Sequence, residues 1–411
     1  MFKRYLLISV LTLSLIPMSF AQKTDKMEKT GGYARILGMG NNPYIVDPFY
    51  VTVNPAWGAY YDHFVFGDLG STAGAFAAGG VGQFASFNFR VNSDLTLGAL
   101  LSRNDFNGFG IARLDPFGIV AQVPQTIALN NNLELLATLN LGNTVVGLGV
   151  AYASTSREQD PAGSTDKTTA SASQIGINLG LISKLASNMK LDLAASLMLP
   201  GASFEPPSPG LTIEGSNTVI NVAGRLFWDY SSKLAIVPTV NFILGSGSID
   251  VPSTATSTKT EDLPSTMVLV AGLGINYKVG DFLLAGGPAF AMTKVSQDSN
   301  SLGNESSTSN TIFPLWNLGI EWKMNDWFVA RLGYIASTGS QSSETTVGGE
   351  TGESSQTIFV PAPGATVGIG FRLGSFSLDA TVNEDVLRQG LANIGGNGPT
   401  LAYLSASYAL P

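Results

Sequence analysis

Hydrophobicity in this chain alternates. From about Asp62 onward, apolar residues take every second position in segments of about ten residues, a period that belongs to strands. In Lys190 to Leu199 one face carries Leu191, Leu193, Ala195, Leu197 and Leu199, and the other Asp192, Ala194, Ser196 and Met198. The same split recurs in Val81 to Val91 and, near the C-terminus, in Phe376 to Asn383. A tilted strand crosses a bilayer in about nine to eleven residues, so these segments are long enough to span. No apolar run of about eighteen residues follows Ala21, which excludes helical spans. Yet hydrophobic residues make up 44% of the chain, charged residues only 13%, and glycine 47 of 411 positions. That combination fits a sheet closed on itself in a membrane better than an exported soluble domain.

The connections alternate as regularly as the residues. Tight turns are expected at Asn92-Ser93-Asp94, Gly142-Asn143, Ala186-Ser187-Asn188, Ser231-Ser232, Gly280-Asp281, Asn325-Asp326 and Gly374-Ser375. Between them lie longer Ser/Thr-rich stretches, Ser154 to Ala170, Ser246 to Ser265, Ser296 to Asn310 and Ser337 to Ser355, read as polar external loops. With an opening strand near Asp62 to Ser71 and a closing strand from Thr400 to Leu410, the count comes to about sixteen. In Asn104 to Asn130 the alternation fades and Pro116 and Pro124 interrupt it, so this stretch is expected to fold as a loop into the barrel mouth. Trp228, Tyr230, Trp322, Trp327, Tyr403 and Tyr408 fall near strand ends, where interfacial girdles sit. A β-propeller has a similar repeat length, but each unit here reads as two long strands and a polar loop, with no blade signature.

Lys3 and Arg4, an uncharged run from Tyr5 to Ile16 and the small residues of Ser19-Phe20-Ala21 form a secretory signal peptide over residues 1–21. Cleavage at Gln22 removes those two cations and takes the formal net charge from −8 to −10. An acidic chain without a basic cluster excludes nucleic acid as a partner. Cysteine is absent, so neither disulfides nor thiol chemistry contributes.

Residues 22–58 do not alternate and form a separate N-terminal element ahead of the barrel at 59–411. Here the sequence carries Gly32-Tyr33-Ala34-Arg35-Ile36-Leu37-Gly38-Met39-Gly40, then Asp47, then Asn54-Pro55-Ala56-Trp57 leading into strand. This resembles the N-terminal region of the long-chain fatty-acid transporter (FadL-type) outer-membrane superfamily, and Leu114-Asp115-Pro116-Phe117-Gly118 after the third strand resembles a Pro-Phe-Gly segment of that family. Family members typically have fourteen strands, so the expected fold is an all-β transmembrane antiparallel barrel of 14–16 strands. The resemblance implies that 22–58 is a hatch inside or under the barrel, with Arg35, Gly38, Gly40, Asp47, Asn54, Pro55 and Ala56 as its signature. It also implies passive uptake of hydrophobic small molecules such as fatty acids or hydrocarbons, with lateral release.

Catalytic chemistry has little to work with. The single histidine, His63, has no Gly-x-Ser-x-Gly elbow to serve, so no enzymatic role is expected. No cofactor is expected. Asp298, Asn300, Gly303 and Glu305 suggest a calcium loop but fail its motif at Leu302 and Ser309, so no metal is expected. Alternation places Arg90, Arg225, Glu321, Lys323, Arg331 and Arg372 on the lumenal face. Two readings stay open: the arginines pair with Glu321, Asp192, Asp229 and Asp379, or Arg90, Arg225, Arg331 and Arg372 include a site for the carboxylate of an amphipathic solute. The expected location is the outer membrane of a Gram-negative cell, with lipid and a hydrophobic solute as partners. The alternative roles are a docking component of a secretion system resembling the PorV type, which would engage other envelope proteins, and a general porin or adhesin. A continuous apolar cavity between hatch and wall favours the channel; a filled interior with an apolar rim favours docking.

Overall fold

A computed structural model of the chain describes residues 28–70, 83–106, 108–160, 167–207, 210–254, 257–298, 304–358, 364–382 and 401–411. The signal peptide and positions 300, 302 and 303 of the calcium-like stretch lie outside the described residues.

The strands are β1 (Phe64–Gly70), β2 (Phe84–Arg90), β3 (Leu95–Arg103), β4 (Asn131–Asn140), β5 (Thr144–Gln159), β6 (Thr168–Ala186), β7 (Met189–Glu205), β8 (Ile213–Asp229) and β9 (Leu234–Pro252). They continue as β10 (Thr258–Asp262), β11 (Ser265–Val279), β12 (Phe282–Gln297), β13 (Glu305–Lys323), β14 (Phe328–Val347), β15 (Glu350–Ile358), β16 (Gly364–Leu373), β17 (Phe376–Val382) and β18 (Leu401–Ala409). All pairings are antiparallel, and β1 pairs with both β2 and β18, which closes the sheet. Of the eighteen strands among the described residues, two, β10 and β15, pair there only with the outer ends of β9 and β14, leaving sixteen in the closed barrel. Closure removes every edge within the wall, the condition for a sheet to sit in hydrocarbon.

Each of the seven turns expected from the sequence joins consecutive strands on one rim. Gly280 and Gly374 hold positive φ, a conformation that favours glycine. On the other rim the structure corrects the expectation. Most of the Ser/Thr-rich stretches are ladder: beyond a register shift between Ile312 and Leu315, β13 and β14 pair out to Glu305 and Thr346, and β14 continues against β15 from Gly339–Ile358 to Val347–Glu350. Serine and threonine form strand well enough in water, but an all-polar strand has no hydrophobic alternation, so the signal ends where lipid ends.

Along β4 the two faces differ sharply: Leu135 is 58% exposed and Leu136 4%. Phe87 and Phe89 of β2, Ile175, Ile177 and Leu179 of β6, and Leu318 and Ile320 of β13 likewise present large apolar side chains outward. Trp228, Tyr230, Trp322, Trp327 and Tyr408 are exposed at strand ends, as a girdle requires. Tyr403 is not in the girdle. It lies five residues from Tyr408, on the opposite face, and its ring packs edge-on against Tyr33 at 5.4 Å inside the barrel. No helix among the described residues is long and apolar enough to cross a membrane. A closed barrel with an apolar exterior spans by its strands, and this chain is an outer-membrane protein.

Candidate functional site

With lipid outside, the chain's buried apolar core has to lie within the barrel, and two segments build it. The first comprises residues 28–62. It holds a short helix, Tyr33–Gly38, and two 3-10 turns, Pro48–Thr52 and Pro55–Ala59. Asp47 and Asn54 cap those turns: the Asp47 carboxylate accepts from the Phe49 amide at 2.9 Å, and Asn54 Oδ1 from the Ala56 amide at 2.9 Å. Pro48 and Pro55 each occupy the first helical position, where a missing N–H costs nothing. Asp47 also accepts from the Gly32 amide at 3.0 Å, tying the start of the segment to its middle. Ala34, Ile36, Leu37, Met39, Tyr44, Phe49 and Trp57 are buried in one cluster.

This segment touches strands around the whole ring. Gly38 lies against Gly368 of β16, and Gly40, at φ +74°, fits so closely against β13 and β14 that a Cβ would strike the carbonyl of Leu318. Asn42 donates to Ala285 O of β12 at 2.9 Å, and Tyr44 to Pro288 O at 3.1 Å. Thr138 of β4 donates to Pro55 O at 2.9 Å, and Ala56 rests on Gly147 of β5. Asn54 Nδ2 donates to Asp192 of β7 at 2.6 Å, and Trp57 Nε1 to the same carboxylate at 3.0 Å. Arg35, Gly38, Gly40, Asn54, Pro55 and Ala56 thus bracket the segment to the wall, whereas Asp47 bonds within the segment, to Gly32, Arg35 and Phe49.

Each lumenal arginine singled out from the sequence meets a carboxylate of this chain. Arg225 donates to Asp192 at 2.6 and 2.9 Å and to Ile45 O at 3.0 Å, and its guanidinium lies 3.5 Å from the ring centroid of Tyr50. Burial pushes the Tyr50 phenol up to about 12, with Arg225 pulling the other way, so the ring stays neutral. Arg331 pairs with Glu321 at 2.6 Å and Asp379 at 2.7 Å, Arg372 pairs with Asp379 at 2.9 Å, and Arg35 grips Glu321 with two hydrogen bonds of 2.7 and 2.9 Å. Arg90 pairs with Asp62, a residue before the first strand that strand alternation cannot reach. Among the described residues no ion pair involves Asp229.

The second segment is the β3–β4 connection, which folds into the mouth as its faded alternation suggested. Leu114, Ile119, Val120, Val123 and Leu129 pack on Ala153, Ala170, Ala172, Ala202, Phe204 and Ile249 of the wall. Asp115 caps a helical turn, Ile119–Gln122, by accepting from the Ile119 and Val120 amides at 2.8 and 2.9 Å. Burial raises its pKa against those amides. The Phe117 ring lies over Gly245, and Gly110 abuts Thr52 O, so the two segments meet.

Between them and the wall remains a cavity of about 150 Å³. Pro43, Tyr50 and Val53 of the first segment and Phe109 of the second face Ala194, Ala223, Val270, Ala289 and Leu315. Its main charged groups, Asp192 and Arg225, neutralise each other. Tyr50 and Phe109 were not picked out from the sequence, because nothing local marks an aromatic that lines a void rather than filling one. Gly224 and Val240, paired across β8 and β9, also line it.

No protein-family model matches the chain, and a search of curated proteins finds no match. Among solved structures it is similar to the FrpB iron transporter of Neisseria meningitidis at 11% identity and a TM-score of 0.39, over 77% of this chain and 61% of that one. The chain therefore spans less than two thirds of that protein's length. It is also similar to the toluene transporter TodX of P. putida at 10% identity and a TM-score of 0.35, over 93% and 99% of the two chains. CdiB from Escherichia coli matches at 12% identity and a TM-score of 0.37, over 84% and 62%. At this level the likeness identifies no solute.

Proposed function

We propose that the protein is a channel of the FadL type for small, neutral hydrophobic molecules, in which residues 28–62 act as the hatch. The observation that carries this reading is the apolar cavity between hatch and wall. Its volume is of the order that holds one monoaromatic ring in a dry protein cavity, about 150 Å³. A solute of that kind gains about 25 cal/mol per Å² of apolar area on leaving water, so it prefers the cavity to the medium and lipid to the periplasm. Release sideways follows from the same preference. At Gly224, which lines the cavity, the wall has no side chain of its own, and Leu193 and Val240 cover it.

Neutral solutes fit better than carboxylates, because the cavity's arginine already has Asp192. Carboxylate recognition by Arg90, Arg225, Arg331 or Arg372 would have to displace a partner from each. The cavity likewise favours the channel over a docking role, for which a wholly filled interior is the expectation.

The test is uptake of labelled toluene, a long-chain fatty acid and glucose into liposomes bearing the wild type or Ala223→Phe, which fills the cavity. Toluene uptake is expected to exceed the protein-free control and to fall to it in the variant, with glucose excluded throughout. Equal toluene uptake by the two proteins overturns the proposal.

A further inference from the structure

The β3–β4 connection carries three large apolar side chains close together in sequence, and they fare differently. Phe106 is 2% exposed, its ring centroid 5.3 Å from that of Phe84 and 6.4 Å from that of Phe49, and Ile111 has no exposed surface. Phe109, between them, is 50% exposed. The next residue is anchored: Gly110, at φ +90°, lies so close to the inner segment that a Cβ would strike Thr52 O. A lone exposed apolar residue on an outer surface needs no explanation. This one borders the cavity.

Phe109 lines that cavity together with Pro43, Tyr50 and Val53 of the inner segment. Among the described residues that line it, two are largely exposed, Phe109 and Val240. Val240 shares its face of β9 with Leu244 and looks onto lipid. Phe109 belongs to a segment inside the barrel, so its ring has the cavity on one side and the water of the mouth on the other.

Resting on the channel reading, we propose that Phe109 is the specificity-determining residue at the entrance of this cavity, and that its ring limits the solute to a single aromatic ring. The cavity of about 150 Å³ holds one such ring. Taking the phenyl group out of the lining leaves room for about one more ring, so a fused bicyclic hydrocarbon then fits. A larger side chain at the same place narrows the entrance for both. The selection is steric, and in an apolar pocket a single methylene changes it by about 10-fold or more.

The experiment compares uptake of labelled toluene and naphthalene into liposomes bearing the wild type, Phe109→Ala or Phe109→Trp, with glucose as the leak control. Phe109→Ala is expected to raise the ratio of naphthalene to toluene uptake about 10-fold with glucose still excluded, and Phe109→Trp to lower toluene uptake. Should Phe109→Ala not fold, Phe109→Leu is expected to raise the ratio by a smaller factor. An unchanged ratio, beside toluene uptake above the protein-free control, overturns this proposal and leaves the channel reading standing. Entry of glucose into the Phe109→Ala liposomes overturns it as well, since the ring would then be a plug and not a selector. Toluene uptake by the wild type at the protein-free level overturns the channel reading and this proposal with it. Phe109→Cys gives a readout independent of transport, because the chain has no cysteine of its own. Its labelling by a water-soluble maleimide is expected to slow about 11-fold with toluene at ten times the dissociation constant. Equal labelling with and without toluene overturns the placement of the ring at the entrance.

Discussion

The two segments that fill the lumen do so by different physics. Residues 28–62 add to their buried apolar cluster a set of directional contacts: the Asn54 and Trp57 bonds to Asp192, the Arg35 grip on Glu321 and the Arg225 bond to Ile45. The β3–β4 connection is held mainly by apolar packing, Ile119 and Val123 against small wall residues. Charge-assisted brackets inside a low-dielectric lumen are strong when complete and costly when half-made, so they favour two discrete states, docked and released. Packing loosens by degrees. On that ground the inner segment is expected to leave as a unit and the outer one to stay.

Removing each segment should break this comparison most visibly. Deletion of residues 22–57 is expected to turn a closed barrel into one with clear single-channel steps in planar bilayers, because the brackets leave a wide polar lumen when they go. Deletion of residues 106–129 alone is expected to leave conductance near the closed level. Equal conductance in the two deletions would mean that neither segment is the barrier.

Point substitutions sharpen the same contrast. Asp192→Ala strands Arg225 without its carboxylate and takes an acceptor from Asn54 and from Trp57, a loss of about 3–5 kcal/mol for a buried pair broken on one side. Hydrogen exchange should accelerate across the whole of 30–60 together. Ile119→Ala is expected to cost about 2–5 kcal/mol as a cavity in packed apolar surface, with exchange rising locally around 110–125. Uniform acceleration of both segments in either variant would erase the distinction. Asp115→Asn, which keeps the left-handed backbone tolerated at this φ of 43° and weakens the cap, should cost about 1 kcal/mol or less and show as faster exchange at Ile119 and Val120 alone.

How far the sequence could see follows from what each residue answers to. Leu135 and Leu136 are identical letters with opposite fates, and their faces were legible because the alternation around them continues along β4. Tyr403 was misplaced as a girdle residue although its offset from Tyr408 already put it on the other face, so parity was available and position near a strand end overrode it. The Ser/Thr ladders of β13 to β15 escaped because pairing leaves no hydrophobic mark where both faces meet water. Arg225 and Asp192 both belonged to one of the two readings left open for the lumenal charges, and they pair across β7 and β8. Asp62 as partner of Arg90 needed coordinates.

A two-residue period and a set of turn chemistries are local properties, and they suffice to specify the lipid-spanning strands and which face meets lipid, and to bring the strand number to 14–16. The contents of the lumen depend on contacts between residues far apart in the chain, such as Gly40 with Leu318 or Asn54 with Asp192, and no spacing encodes them. Closing the barrel brings those distant faces within hydrogen-bond reach. Only that closure decides which carboxylate meets an arginine and which meets another part of the chain.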